Sequence, residues 1–94
     1  MARFAVELVF GPDTEKRLAV RPAHRDYLAS LSGKGVLLAA GPFADDTGAL
    51  IIYEAADEAA VREVIAADPY TPAEVVDSWT IRPWNALLGT WVTG

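Results

Sequence analysis

The stretch VLLAAGPFADDTGALIIY, residues 36–53, sets two apolar runs on either side of a polar reversal. Val36 to Ala40 and Ala49 to Tyr53 suit strands, Gly41-Pro42 breaks the first run, and Asp45-Asp46-Thr47-Gly48 has turn chemistry. The spacing predicts strands two and three of a hairpin. On its N-terminal side, Arg3 to Phe10 places Phe4, Val6, Leu8 and Phe10 at a period of two, and Gly11-Pro12-Asp13 ends that first strand. Pro22 suits the first turn of a helix in which His24, Leu28 and Leu31 recur at helical spacing, until Gly33 and Gly35 stop it. On the C-terminal side, Asp57 caps a second helix with an apolar stripe of Ala60, Val61, Val64 and Ile65. Asp68-Pro69 ends that helix, because a proline disfavours the α conformation in the residue before it. Thr71 to Glu74 is an irregular or short helical connection, Val75 to Arg82 reads as strand four, and Pro83 closes it.

The order βαββαβ implies an α+β domain of ferredoxin-like type, an antiparallel sheet with two helices on one face. Leu37 with Leu38, and Ile51 with Ile52, make the sheet apolar on both sides, so its helix-free face needs a cover. A second copy packing sheet to sheet would give a homodimer of the dimeric α/β barrel type. The alternative is that the tail, with Leu87, Leu88, Trp91 and Val92, folds back over its own sheet. Residues 1–84 are read as the domain and residues 85–94 as a C-terminal extension.

The chain has 94 residues, 52% hydrophobic and 22% charged, which is ample core material for one domain. Its net charge is -5, and the eight basic residues are read as scattered rather than striped, against a nucleic-acid partner. Cysteine is absent and histidine occurs once, so thiolate chemistry is excluded and no metal-ligand spacing exists. No phosphate loop or nucleophile elbow is present. The N-terminus is unlike a secretory signal and no apolar run reaches membrane-span length, so a cytoplasmic location and no membrane partner are expected.

Chain direction brings the start of helix one, the Gly41-Pro42 turn, the end of helix two and the start of strand four to one rim of the sheet. His24, Asp68 and Ser78 then lie together although distant in sequence. A histidine in the first helical turn meets the positive end of the helix dipole, which favours the neutral ring, able to accept a proton. Asp68 could hold its other nitrogen, making a His-Asp general acid/base pair. Arg21 could clamp an anionic oxygen with its planar fork, Tyr70 could offer a hydroxyl, and Gly41 could let a ligand approach closely. Each residue has an ordinary reading too: His24 as a core-edge histidine sharing a stripe with Leu28 and Leu31, Asp68 as a turn residue, Arg21 as a solvated arginine, Tyr70 as packing.

Arg17-Leu18, Val20-Arg21-Pro22-Ala23-His24, Gly35 with Leu37-Leu38-Ala39-Ala40-Gly41-Pro42, and Ala67-Asp68-Pro69-Tyr70 together resemble the YCII-related (YciI-like) family across residues 3–84. The resemblance implies a dimeric ferredoxin-like fold and an active site at His24 and Asp68. It points to a small-molecule enzyme without cofactor, of lyase or dehalogenase type; joined to the reading of the residues, which adds an isomerase as a further type, this sets Arg21, Gly41, Pro42, Tyr70 and Ser78 toward substrate. The alternative is a non-catalytic dimeric module that binds a small molecule or serves another enzyme. The short Asp45 to Gly48 turn and the extension beyond Asn85 depart from the longer family members and leave the substrate class open.

Overall fold

The computed structural model describes residues 1–92; the last two residues of the extension expected at 85–94 lie outside the described residues. The elements run β1 (Ala2–Phe10), α1 (Thr14–Gly33), β2 (Leu37–Pro42), β3 (Gly48–Ala55), α2 (Glu58–Ala67), α3 (Tyr70–Ala73) and β4 (Val76–Pro83). Four strands form one antiparallel sheet in the order β2-β3-β1-β4, the arrangement of a ferredoxin-like α+β domain.

Alternation along the strands sorts the two faces of the sheet. Phe4, Val6 and Leu8 of β1 pair with Tyr53, Ile51 and Ala49 of β3, and with Val61, Ile65, Leu28 and Leu31 of the helices they form the core. Arg3, Ala5, Glu7 and Val9 point to the opposite face. Gly48 permits the closest strand approach: a Cβ there would collide with the carbonyl oxygen of Leu8.

Pro83, read as closing strand four, is the last residue of β4 and pairs with Phe4, and two larger differences from the sequence reading also involve proline. Helix α1 starts at Thr14, capped by the Asp13 carboxylate, which accepts from the Lys16 amide at 3.0 Å. Pro22 lies inside it rather than in its first turn. It forgoes one backbone donor on a solvent-exposed side, while the buried stripe on the opposite side holds the helix together. Gly41-Pro42 likewise stays within β2, which is an edge strand; there a missing amide costs no ladder bond.

The tail takes the second of the two expected courses only in part, since Leu87, Leu88 and Trp91 stay largely exposed. The Trp84 amide donates to the Arg3 carbonyl at 2.9 Å, and residues 84–92 turn back so that Trp84 and Trp91 line a cavity with Leu38 and Ile52 on the helix-free face. Ile52 is 6% exposed although it faces away from the helices. Val9, Leu38 and Leu50 on that same face stay open. No helix among the described residues is long and apolar enough to cross a membrane.

Candidate functional site

Because α1 begins at Thr14, the stripe it turns inward is longer than the sequence reading supposed. Arg17, Arg21, His24, Leu28 and Leu31 follow at steps of four, three, four and three, which keeps them on one face. His24 therefore sits ten residues past the helix start, out of reach of the N-terminal dipole, whose influence ends within the first turn. The neighbour that controls its ring is Asp68.

Pro69 holds Asp68 extended, at φ -66° and ψ 129°, so α2 stops and the carboxylate turns back toward α1. Asp68 is completely buried. Its Oδ1 and Oδ2 lie 2.8 and 2.9 Å from His24 Nδ1, and Oδ1 also accepts the Tyr70 amide at 2.9 Å, the first N–H of the short helix α3. A buried carboxylate needs such donors, since an unpaired charge in the interior is costly. The Tyr70 ring lies on the imidazole with centroids 3.8 Å apart and planes 4° apart. The histidine is thus held at one edge by the carboxylate and on one face by the phenol ring. With Nδ1 as the donor to Asp68, Nε2 is the nitrogen left to accept or release a proton.

The imidazole borders a cavity of about 180 Å³. Its apolar wall comes from Phe10, Leu28 and Ile51, and its polar wall from three arginines, Arg17, Arg21 and Arg25, with Asp46 at the mouth. Burial raises the Tyr70 phenol above its usual value; the Arg17 and Arg21 guanidiniums oppose that rise, and Asp68 adds to it.

Of the residues expected at this site, His24, Asp68 and Tyr70 interlock, and Arg21, Gly41 and Pro42 line the cavity. Arg21 does so from within the helix, one turn before His24, and not from the segment preceding it. Gly41 is not required by steric closeness, as nothing lies within 4 Å of where its Cβ would be. Ser78 is not brought in. It pairs with Val9, so alternation turns it to the helix-free face.

Sequence reasoning missed Arg17 as part of the site. It is 3% exposed, stacks 4.0 Å above the Phe10 ring, and donates from Nη2 to Asp46 Oδ2 at 3.1 Å. Its Nε is buried without a partner among the described residues. The basic residues are not scattered as read: Arg17, Arg21 and Arg25 lie four apart on α1. Asp13 before Thr14 was the signal for the earlier helix start, because an aspartate is a strong N-cap.

The model of the YCII-related domain matches residues 2–85, and the chain belongs to that family. Protein YciI of Escherichia coli O6:H1 (strain CFT073) is 38% identical over 84 residues, covering 79% of this chain and 86% of that protein. Protein YciI of Shigella flexneri gives the same figures. Among solved structures, 5-chloro-2-hydroxyhydroquinone dehydrochlorinase (TftG) from Burkholderia phenoliruptrix AC1100, in complex with 2,5-dihydroxybenzoquinone, superposes with a TM-score of 0.77 at 26% identity, covering 88% of this chain and 93% of that one. An antibiotic biosynthesis monooxygenase superposes with a TM-score of 0.58 at 20% identity, covering 94% of this chain and 100% of that one, a likeness of fold.

Proposed function

We propose that this YCII-related protein is a cofactor-independent enzyme of small molecules, in which His24 moves a proton and Asp68 orients the ring that carries it. The observation that carries this reading is the buried hydrogen bond from His24 Nδ1 to the Asp68 carboxylate, at the wall of a cavity. With Nδ1 held, Nε2 takes a proton from an O–H or C–H of the substrate, and the electron pair of that bond stays on the substrate. Asp68 stabilises the imidazolium that forms, and the ring returns its proton when the product leaves. The cavity is slightly larger than one of about 150 Å³ that accepts benzene, which suits a single substituted ring. The dehydrochlorinase with a ring-shaped ligand supports the same class of chemistry.

The test follows hydrogen–deuterium exchange into hydroxylated ring compounds in D2O by NMR. The wild-type chain is expected to accelerate exchange and His24→Gln to lose about 100-fold or more of that acceleration. Equal exchange in the two proteins overturns the reading. Ring compounds that bind without exchange or turnover would instead identify a non-catalytic binding module.

We also propose a homodimer through the helix-free face, supported by the open Val9, Leu38 and Leu50. Sedimentation is expected to give twice the chain mass for the wild type and a monomer for Leu50→Glu. A monomeric wild type at high concentration overturns it.

A further inference from the structure

We infer that the arginine face of α1 is a seat for an organic anion, and that Asp46 occupies that seat until a planar acid on a six-membered ring displaces it. The inference rests on the small-molecule reading above and names the substrate class it lacks.

Three observations converge on it. First, the cavity wall holds Arg17, Arg21 and Arg25 against the single carboxylate of Asp46, while Asp68 is committed to His24. Three of the chain's eight basic residues thus face one cavity in a protein of net charge -5. A neutral substrate needs no such concentration, whereas an anion entering this pocket meets excess positive charge.

Second, the edge of the Arg17 guanidinium that meets Asp46 is only half used, while the group also interacts with the Tyr70 phenol and opposes its upward shift. Nε and Nη2 lie on the same edge of the planar group, the edge that a carboxylate grips with both oxygens. Asp46 takes Nη2 with one oxygen and leaves Nε buried and without a partner among the described residues. A ligand carboxylate, or the paired oxygens of a vinylogous acid, satisfies both donors.

Third, Asp46 is free to leave. Its side chain is 58% exposed, against 4% for that of Arg17, and it sits at φ 59° in the β2–β3 turn, outside the ladder. Displacement returns its carboxylate to water at little cost, while Arg17 stays fixed on Phe10. A ligand anchored at Arg17 and Arg21 puts its ring in the space between them and His24, where proton transfer is placed.

Calorimetry with benzoate and its uncharged isostere benzamide tests the seat without requiring turnover. Benzoate is expected to bind about tenfold or more tightly than benzamide, and 2,5-dihydroxybenzoquinone, anionic at neutral pH, to compete with it. Asp46→Asn should tighten benzoate several-fold by removing the resident competitor. Arg21→Gln should weaken it about tenfold, and Arg17→Lys, which keeps the charge and loses the fork, should erase most of the preference. Equal binding of the two probes, no binding of either, or weaker benzoate binding in Asp46→Asn overturns the inference.

The same titration in His24→Gln separates the two readings. Retained benzoate preference with lost exchange supports both. Retained preference in a protein that exchanges no substrate proton leaves the anion seat standing and removes the enzyme. Exchange without anion preference removes the seat and leaves the enzyme.

Discussion

The two sides of the sheet hold their cavities by opposite means. On the helix side, about 180 Å³ is bounded by three arginines and a histidine; Arg17 is held by Asp46 and the Phe10 ring, and His24 by the buried Asp68 carboxylate behind it and the Tyr70 ring. On the other side, about 340 Å³ is bounded mainly by Leu38, Ile52, Trp84 and Trp91, with Trp91 itself largely exposed. Directional bonds fail abruptly when one partner is removed, because the other is left buried and unpaired. Apolar cover fails gradually, in proportion to the area uncovered. The helix side is therefore suited to chemistry that tolerates little misplacement, and the tail side to contacts that can be exchanged.

The largest effect should come from the helix side. Asp68→Ala removes the partner of His24 and of the Tyr70 amide, and is expected to cost about 3 to 5 kcal/mol in urea unfolding. A loss under about 1 kcal/mol would mean that water replaces the carboxylate and that the site is not closed. Asp68→Asn keeps the shape and should lose less stability than activity, since an amide orients the ring without stabilising its charge.

The tail gives the contrasting, graded case. A chain ending at Asn85 keeps Trp84 but loses Ala86, Trp91 and Val92 from the wall beside Ile52, and is expected to lose about 1 kcal/mol, a fraction of the cost of fully exposing a large aliphatic side chain, with the His24 site intact by NMR. If the truncated chain is as stable as the full one, the tail is not the cover of Ile52, or a second copy replaces it.

An effect of opposite sign is expected at Tyr53, whose ring is in the core while its hydroxyl has no partner among the described residues. Tyr53→Phe should stabilise the fold by about 1 kcal/mol, because it removes an unsatisfied polar atom without changing the ring. The same variant should alter alkaline behaviour. Burial raises the Tyr53 phenol far above its usual value, and Asp68 and Tyr27 push it in the same direction. Tyr27 and Tyr70 are raised as well, chiefly by burial. With the folded values raised, stability is full below the unfolded phenol value and falls as pH climbs past about 10, where the unfolded chain ionises first. Melting temperatures between pH 9 and 11 should fall for the wild type and fall less for Tyr53→Phe.

Much of this was legible from residue order. Alternation in β1, the turn between β2 and β3, the Asp57 cap and the stop at Asp68-Pro69 are local signals, and they specify a βαββαβ chain with helices on one face. The pairing of His24 with Asp68 followed from topology, though by a route that put His24 in the wrong turn of its helix. Reading Pro22 as a helix start hid the stripe through Arg17 and Arg21, since proline's cost within a helix is local and a buried face outweighs it.

The sequence by itself determined the order of elements, because period, cap and breaker act between neighbours along the chain, and through its resemblance to the YCII-related family it named His24 and Asp68 as candidates. Only the tertiary structure decided which face each residue serves. Ser78 was turned away by strand alternation relative to Val9, Arg17 was drawn in over Phe10, and Asp46 was carried 29 positions along the chain to meet it. Contacts between distant segments depend on register and on where helices begin. A shift of two turns in α1 leaves composition unchanged and redraws the wall of the cavity.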